Sequence, residues 1–408
     1  MSAHFRPEQV TQLPNPEHFA APDREAMAAL ISMIRARIVE DGAISFAEYM
    51  ELALYAPGLG YYVRDDHGLG AHGDFVTAPE MSRAFGCCIA NQCQEVLAQT
   101  GGGIVEIGAG TGKLAVDILE ALGPQQWPEH YTIVEKSPAL RARQAQLLDA
   151  LPQALRARIC WADTVPNTDG IIVANEVLDA LAVQRFIIRD DAIHELGVGL
   201  AEERLGWVEL PASAELLAWW SDLKQTLPEP LPSGYVSERC AGLDEFLRVS
   251  TASLGRGVAL LLDYGYPRHE YFHRERSDGT LLCHLAQRAH GDPFYAPGLQ
   301  DITASVDFTA VAESAATLGL DVAGYTTQAW FLMSTGIDAA LASFSQADHN
   351  AGLLEVQAAK RLLLPGEMGE RIQAIALAKD YDAPLMGWRL RDTTARLRMR
   401  EPGRGVSC

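Results

Sequence analysis

Apolar residues recur at helical spacing through REAMAALISMIRARIVEDG (24–42) and stop at Gly42, which predicts an amphipathic helix closed by a glycine cap. ISFAEYMELALYAPGLGYY (44–62) predicts a second, shorter helix broken by Pro57 and Gly58. GDFVTAPEMSRAFGCCIANQCQEVLAQT (73–100) reads as a turn and then a long helix starting near Pro79. From there the period alternates. Strand-like GIVEIG, helical KLAVDILEAL, strand YTIVEK, helical PALRARQAQLLDAL, and the strands RARICWAD and DGIIVANE succeed one another at α/β spacing. That beat predicts a mostly parallel sheet with helices on both faces.

Between about Val183 and Leu254 the beat lapses. VQRFIIRDDAIHELGVGL and RLGWVEL alternate as an antiparallel meander, followed by helical SAELLAWWSDL, before the apolar strand VALLLDYG resumes the core. FTAVAESAATLGLDVAGYTTQ then reads as helix and strand, AALASFSQADHNAGLLEVQAAKRLLL as helical, and IQAIALAKDY and MGWRLRDTT as closing strands. The expected organisation is a tail (1–22), a helical N-terminal addition (23–80), the first part of an α/β core (81–182), an inserted β-meander with helices (183–254), and core completion with C-terminal helices (255–408).

Length and composition, 408 residues with 48% hydrophobic and 21% charged, allow a large buried core without disulfides. A formal charge of −20 opposes approach to a phosphate backbone, so nucleic acid is not an expected partner and a basic partner or cationic ligand is. None of the seven cysteines forms a C-x-x-C pair, and Cys87, Cys88 and Cys93 share one helical run as small buried thiols. His284 and His290 lack a third obvious partner for a metal, so no metal is expected. The N-terminus has no apolar signal region and no run is long enough to span a bilayer, and with the cysteine usage this predicts a cytoplasmic protein with no membrane insertion.

The chemistry concentrates in EIGAGTGKL (106–114). A strand that ends in glycines and opens a helix suits a nucleotide-like ligand, because glycine lets the backbone approach it. Gly108, Gly110 and Gly112 form G-x-G-x-G, whereas a dinucleotide loop reads G-x-G-x-x-G to seat a pyrophosphate at the helix N-terminus. An acid beside the loop, Glu106, repels phosphate but can hold an ammonium group. Both features favour S-adenosylmethionine over NAD.

Acids also end the next strands. Glu135 lies 23 residues past Gly112, the spacing of an acid that accepts from ribose hydroxyls. Asp163 ends the third strand, where it can accept from the adenine amino group or be a solvated strand end. Asn175 and Glu176 end the fourth, at the carboxyl edge where ligands of open α/β sheets bind. Asn175 can instead cap a helix and Asp179 lie exposed on its first turn. Glu176 is the first choice for orienting a nucleophile beside a cationic methyl donor. Asp74 and Asp263 follow, each of which can alternatively hold a local turn, and Tyr264 and Tyr266 are candidates for the acceptor wall.

GDFVTAPEMSRAFG (73–86), EIGAGTGKL (106–114), ANEVLDAL (174–181), LLDYGYP (261–267) and PGLQDITASVDFTAV (297–311) together resemble the MidA-like family, which includes a mitochondrial methyltransferase that assists assembly of respiratory complex I. The resemblance runs from about residue 25 onward. It implies a class I methyltransferase fold, a Rossmann-like seven-stranded mostly parallel sheet with a helical N-terminal addition and an inserted substrate region. It also implies transfer to a protein arginine, with a complex I core subunit and symmetric dimethylarginine as the candidate substrate and product; a homodimer is left open. Gly108, Gly110, Gly112 and Glu135 match its cofactor positions, and Thr77 falls in a segment that borders the cofactor. Ala182 departs from it, where a proline is expected. An assembly chaperone with a structural cofactor and a small-molecule methyltransferase are the competing readings, the second opposed by the size of the insertion.

Overall fold

The computed structural model describes residues 13–64, 76–190 and 192–397. Helix α1 (Ala21–Asp41) buries Leu30, Ile34 and Ile38, one residue per turn, and ends where Gly42, at φ 82°, returns its N–H to the Ile38 carbonyl. The short strand β1 (Ile44–Ser45) leads into α2 (Phe46–Tyr55), whose first turn is capped by Ser45 accepting from the Glu48 N–H at 3.0 Å.

The long helix expected from Pro79 is two helices, α3 (Ala78–Met81) and α4 (Arg83–Thr100). Ser82 separates them because it adopts an extended conformation (φ −151°) to cap α4 with its own hydroxyl. A turn at Pro16–His18 is capped by Asn15, and α1 begins at Ala21. Residues 1–12 lie outside the described part.

The core then alternates as read: β2 (Gly103–Ile107), α5 (Lys113–Leu122), β3 (Tyr131–Val134), α6 (Pro138–Leu148), β4 (Ile159–Ala162) and β5 (Thr168–Asn175). Three antiparallel strands follow, β6 (Gln184–Arg189), β7 (Ala192–Ala201) and β8 (Arg204–Pro211), then β9 (Val236–Arg239) pairing back on β6. The long strand β10 (Leu254–Tyr266) re-enters the core. A small sheet of β11 (Leu282–Leu285), β12 (Arg288–His290) and β13 (Asp301–Thr303), unforeseen in the sequence, precedes β14 (Val306–Asp307), β15 (Asp321–Thr327) and β16 (Ile372–Lys379).

The main sheet runs β15-β16-β10-β5-β2-β3-β4, with β14 extending the end of β10 as an eighth, two-residue strand. β10, β5, β2, β3 and β4 are mutually parallel, and β16 lies antiparallel between β10 and β15. β2 is buried along its whole length, as a parallel strand covered on both faces must be. MGWRLRDTT is not a strand. Met386–Trp388 forms a single 3₁₀ turn that drops Trp388 onto Gly324 of β15, where a Cβ would stand only 2.4 Å from the indole.

The helical addition and the insertion are one lobe. β1 pairs antiparallel with β7, Ile44 opposite Val198, and Leu30, Phe46, Tyr49 and Tyr61 share a core with Val183, Val198 and Ile302. This lobe stands at the carboxyl ends of β5 and β10. Among the described residues no helix is long and apolar enough to cross a membrane.

Candidate active site

The glycine loop between β2 and α5 turns through three left-handed residues, Gly108 (φ 67°), Gly110 (φ 52°) and Gly112 (φ 87°). A side chain at Gly108 would meet Val177 at 3.0 Å, and one at Gly112 would meet Gln144 at 3.3 Å, so the turn is packed between the end of β5 and helix α6. Thr111 in the loop donates to Glu80 of α3, which draws the TAPE segment over it. Glu106 lies beneath the loop, 3% exposed, with Oε2 accepting the Tyr131 hydroxyl at 2.6 Å. Burial raises its pKa from 4.5 to about 7.

The ends of β2, β3 and β4 are tied by Gln144, a side chain that the sequence reading passed over. Its Nε2 donates to the Gly110 carbonyl at 2.9 Å and to Glu135 Oε2 at 3.3 Å, and its Oε1 accepts from the Trp161 indole at 2.8 Å. Gln144 is fully buried. Glu135 also accepts from the Ser137 N–H at 2.9 Å, and burial raises its pKa.

Asp163 stands at the rim of this edge. Its side chain is 83% exposed and pairs with Arg141 at 2.6 Å, while the same guanidinium braces the Ala162 and Glu135 carbonyls. Here the residue expected at the adenine is a surface brace, reached by an arginine of the preceding helix, α6.

At the end of β5 the chain bends sharply at Glu176, a non-glycine residue at φ 52°. Its Oε1 accepts from the Ala78 N–H and from Asn175 Nδ2, both at 3.1 Å. Its Oε2 and the Asn175 Oδ1 are buried and, among the described residues, accept from no protein group. Burial, then the charge of Asp263, raises the Glu176 pKa from 4.5 to about 8 against the opposing bond from Ala78. Ala78 follows Thr77, which stands half-buried at the N-terminal end of α3 with no side-chain capping bond.

Asp263 is fully buried, and its oxygens are used up. Oδ2 accepts from the N–H groups of Val177, Leu178 and Asp179 at 2.9, 2.7 and 3.3 Å, and Oδ1 from Tyr264 at 2.8 Å. Desolvation raises its pKa from 3.8 to about 7 all the same. Its expected catalytic role is corrected to holding the Glu176 turn. Asp74 lies outside the described residues.

Within electrostatic reach of this turn lie acids and tyrosines that the sequence left scattered. Asp179, for which exposure was one of two readings, is 6% exposed, and burial together with Asp263, Asp301 and Glu176 raises its pKa well above the usual range. Tyr62 donates to Asp301 at 2.8 Å, Tyr55 donates to the Ala180 carbonyl at 3.1 Å, and the two rings stack 5.6 Å apart. Tyr264 is half-buried within the field of Glu176 and Asp179. Tyr266 is not among them; its ring carries the Arg276 guanidinium at 4.1 Å and packs toward the insertion.

His290 Nδ1 accepts from the Asp292 N–H and its ring meets Tyr295, while burial lowers His284 to about 4. Among the described residues no group of three or more His, Cys, Asp or Glu is placed to hold a metal. A cavity of about 250 Å³ lies behind the turn, between Leu178, Val183, Trp219 and Arg268, and neither the glycine loop nor Glu176 lines it.

A parallel sheet of this order, with an antiparallel strand next to one edge and a three-glycine loop after β2, beside the central strand, defines a class I S-adenosylmethionine-dependent methyltransferase. The site fits that cofactor: the loop leaves its backbone bare, Glu135 is fixed at the second strand end, and Asn175 Oδ1 is a buried acceptor without a donor.

Residues 88–326 match the family described as "Putative S-adenosyl-L-methionine-dependent methyltransferase", and the chain belongs to this family. It is 30% identical over 378 residues to the zebrafish (Danio rerio) mitochondrial protein arginine methyltransferase NDUFAF7, covering 85% of this chain and 86% of the relative. It is 27% identical over 391 residues to the human (Homo sapiens) protein of that name, covering 87% and 85%. A COG1565 superfamily member from Burkholderia thailandensis, solved with S-adenosyl-homocysteine bound, superposes with a TM-score of 0.87 at 38% identity over 94% of this chain and all of that one. S-adenosylmethionine is therefore the cofactor.

The expectation of a cytoplasmic protein is overturned by the relatives, which are named mitochondrial. Cysteine usage of this kind does not separate one reducing compartment from another.

Proposed function

We propose that this enzyme methylates an arginine side chain of a protein, with a core subunit of respiratory complex I as the candidate substrate. The observation that carries the reading is the buried, unpartnered Oε2 of Glu176 beside the glycine loop, held on a left-handed bend by Asp263 and Ala78. The names of the curated relatives support arginine as the acceptor.

The bare glycine loop, Glu135, Asn175 and Thr77 would hold S-adenosylmethionine, with Gln144 fixing Glu135 against the loop. When bound, the cofactor supplies a methyl group activated by its sulfonium and leaves as S-adenosylhomocysteine. Glu106 and its Tyr131 partner support the loop from below. Asp163 has no part in this reading, and Asp263 acts only by fixing the turn.

Glu176 has two tasks. As a carboxylate it draws in the guanidinium fork and localises electron density on the attacking nitrogen. It then takes the proton that this nitrogen sheds as its new N–C bond forms. A pKa near 8 suits that duty, since a base works best when its pKa lies near the working pH. Transfer of labelled methyl to a lysate from cells lacking this protein tests the reading: a discrete protein band carrying methylarginine is expected. Label only in small molecules, from an enzyme that binds its cofactor, would remove arginine from the proposal.

A further inference from the structure

Helix α3 is a single turn, Ala78–Met81, yet it touches both halves of the site. At its first residue the Ala78 N–H donates to Glu176 Oε1 at 3.1 Å. Two residues on, the Glu80 carboxylate accepts the hydroxyl of Thr111, the residue between Gly110 and Gly112 in the cofactor loop. Pro79 stands between these two contacts, buried with Ala78, and the Glu80 N–H closes the turn on the Thr77 carbonyl at 3.1 Å.

A helix of four residues is too short to hold its own place, so its position is set by what it is tied to. Pro79 fixes its own backbone angle, and a shift at Glu80 is therefore carried to Ala78. The first N–H groups of a helix lack partners within it, and a carboxylate is a strong one. Ala78 takes Oε1 of Glu176, and Oε2 is the oxygen left for a ligand. Anchorage of the turn to the fold is already supplied at its other end, where Ser82 donates to Glu355 at 2.5 Å and caps α4. The bond between Glu80 and Thr111 adds a tie to the loop on which the cofactor lies.

We propose that α3 links the cofactor loop to Glu176, with Glu80 as the positioning residue: bonded to Thr111, Glu80 sets the turn from which the Ala78 N–H fixes Glu176 Oε1 and leaves Oε2 to the acceptor. The inference rests on the reading of Glu176 given above and adds that its orientation depends on the glycine loop. The Ala78 bond also opposes the rise that burial and Asp263 give the Glu176 pKa. Releasing α3 therefore raises that pKa further, whereas deleting the negative charge of Glu80 would by itself lower it. The other titratable groups within reach of Glu176 are Asp263 and Tyr264 on β10, Asp179 on the turn after β5 and Asp301 on β13, and all are unchanged by substitution at Glu80 or Thr111.

The test is the titration of Glu176 in full-length protein saturated with S-adenosylhomocysteine, followed by carbon-13 NMR of glutamate labelled at the side-chain carboxyl and assigned by the signal that Glu176→Gln removes. Transfer of labelled methyl to a lysate from cells lacking this protein is measured alongside, at saturating S-adenosylmethionine. Glu80→Ala should raise the Glu176 midpoint by about one pH unit. It should slow transfer at neutral pH about tenfold, the loss that such a shift imposes on a base working below its midpoint. Glu80→Gln, whose amide oxygen still accepts from Thr111, should stay within about 0.3 pH unit and about twofold of wild type. Thr111→Val breaks the same bond from the loop side; it should reproduce both effects of Glu80→Ala and decides the matter if that variant does not fold.

An unshifted or lowered midpoint in Glu80→Ala and Thr111→Val, with transfer lost in Glu176→Gln, would overturn this inference and leave the arginine reading standing. Slowed transfer in Glu80→Ala with an unshifted midpoint would make the bond a structural one and overturn it too. Equal transfer by Glu176→Gln and wild type would overturn both readings.

Discussion

Glu176 and Asp263 stand side by side, each one residue past the last registered pair of β5 and β10, Asn175 opposite Leu262. Both are buried carboxyls and burial raises both pKa values, yet their surroundings differ in kind. Four backbone N–H groups converge on Asp263 and leave it nothing to offer a ligand. Among the described residues Glu176 has two donors on one oxygen and none on the other. The pair shows that a perturbed pKa marks burial, whereas the unfilled acceptor marks the place for a ligand.

The largest effect that would break this contrast is on catalysis. Glu176→Gln should lower single-turnover methyl transfer by about 10²- to 10³-fold, as loss of a positioned base does, with the thermal transition retained and S-adenosylhomocysteine affinity within twofold. A variant that still transferred at the wild-type rate would show that Glu176 is no more chemical than its neighbour. Asp263→Asn should act first on stability, because an amide offers one acceptor where the carboxylate serves four donors. A loss of about 3 kcal/mol in denaturant unfolding is expected. Wild-type unfolding with abolished transfer would reverse the two roles.

Acidity separates them further. Below about pH 8, kcat/KM should rise close to tenfold per pH unit as Glu176 ionises in the field of Asp263, Asp301 and Asp179, and Glu176→Gln should flatten that limb. Stability should move the opposite way. Glu106, raised from 4.5 to about 7, holds more protons folded than unfolded, so its contribution is complete below its ordinary pKa and fades as pH rises through 7. Melting followed from pH 5 to 8 should therefore fall by several degrees more in wild type than in Glu106→Gln; equal slopes would show that Glu106 does not titrate there.

Smaller effects concern the cofactor edge. Gln144→Ala should weaken S-adenosylhomocysteine binding about fivefold in calorimetry, because Glu135 and Gly110 lose their common donor. Asp163→Asn should change it less than twofold, and a tenfold loss there would restore the adenine contact set aside above.

The sheet was legible because its strands are short apolar runs punctuated by turn residues, and the loop because only glycine serves three left-handed positions in a row of alternates. MGWRLRDTT misled because its apolar residues alternate by chance: Trp388 is buried against Gly324 and Phe331, not in a ladder. At the site, Glu176 and Glu135 were visible as acids at strand ends. Asp163 carries the same local signal and lies at the surface, since which strand end faces the site depends on Arg141 and Gln144 reaching over from α6. Tyr55 and Tyr62 had no local mark, and Asp301 lay in a quoted motif without a role, because their partners are distant: Tyr62 meets Asp301 across 239 residues and Tyr55 the Ala180 carbonyl across 125. The glutamine in α6 looked like an ordinary helix-face residue for the same reason: its three partners lie on other segments.

The pairing of β1 with β7 also sets an order of assembly. Ile44 meets Val198, and β6, which carries β7, is itself bordered by β9 at Val236–Arg239. During synthesis, which proceeds from the N-terminus, the first two helices emerge long before the strands against which their apolar faces close. They must wait through the translation of half the core, and then pay the loop-closure entropy of a distant contact. A chain stopped short of β7 would carry those helices with their apolar faces uncovered, as targets for a chaperone rather than as a folded domain.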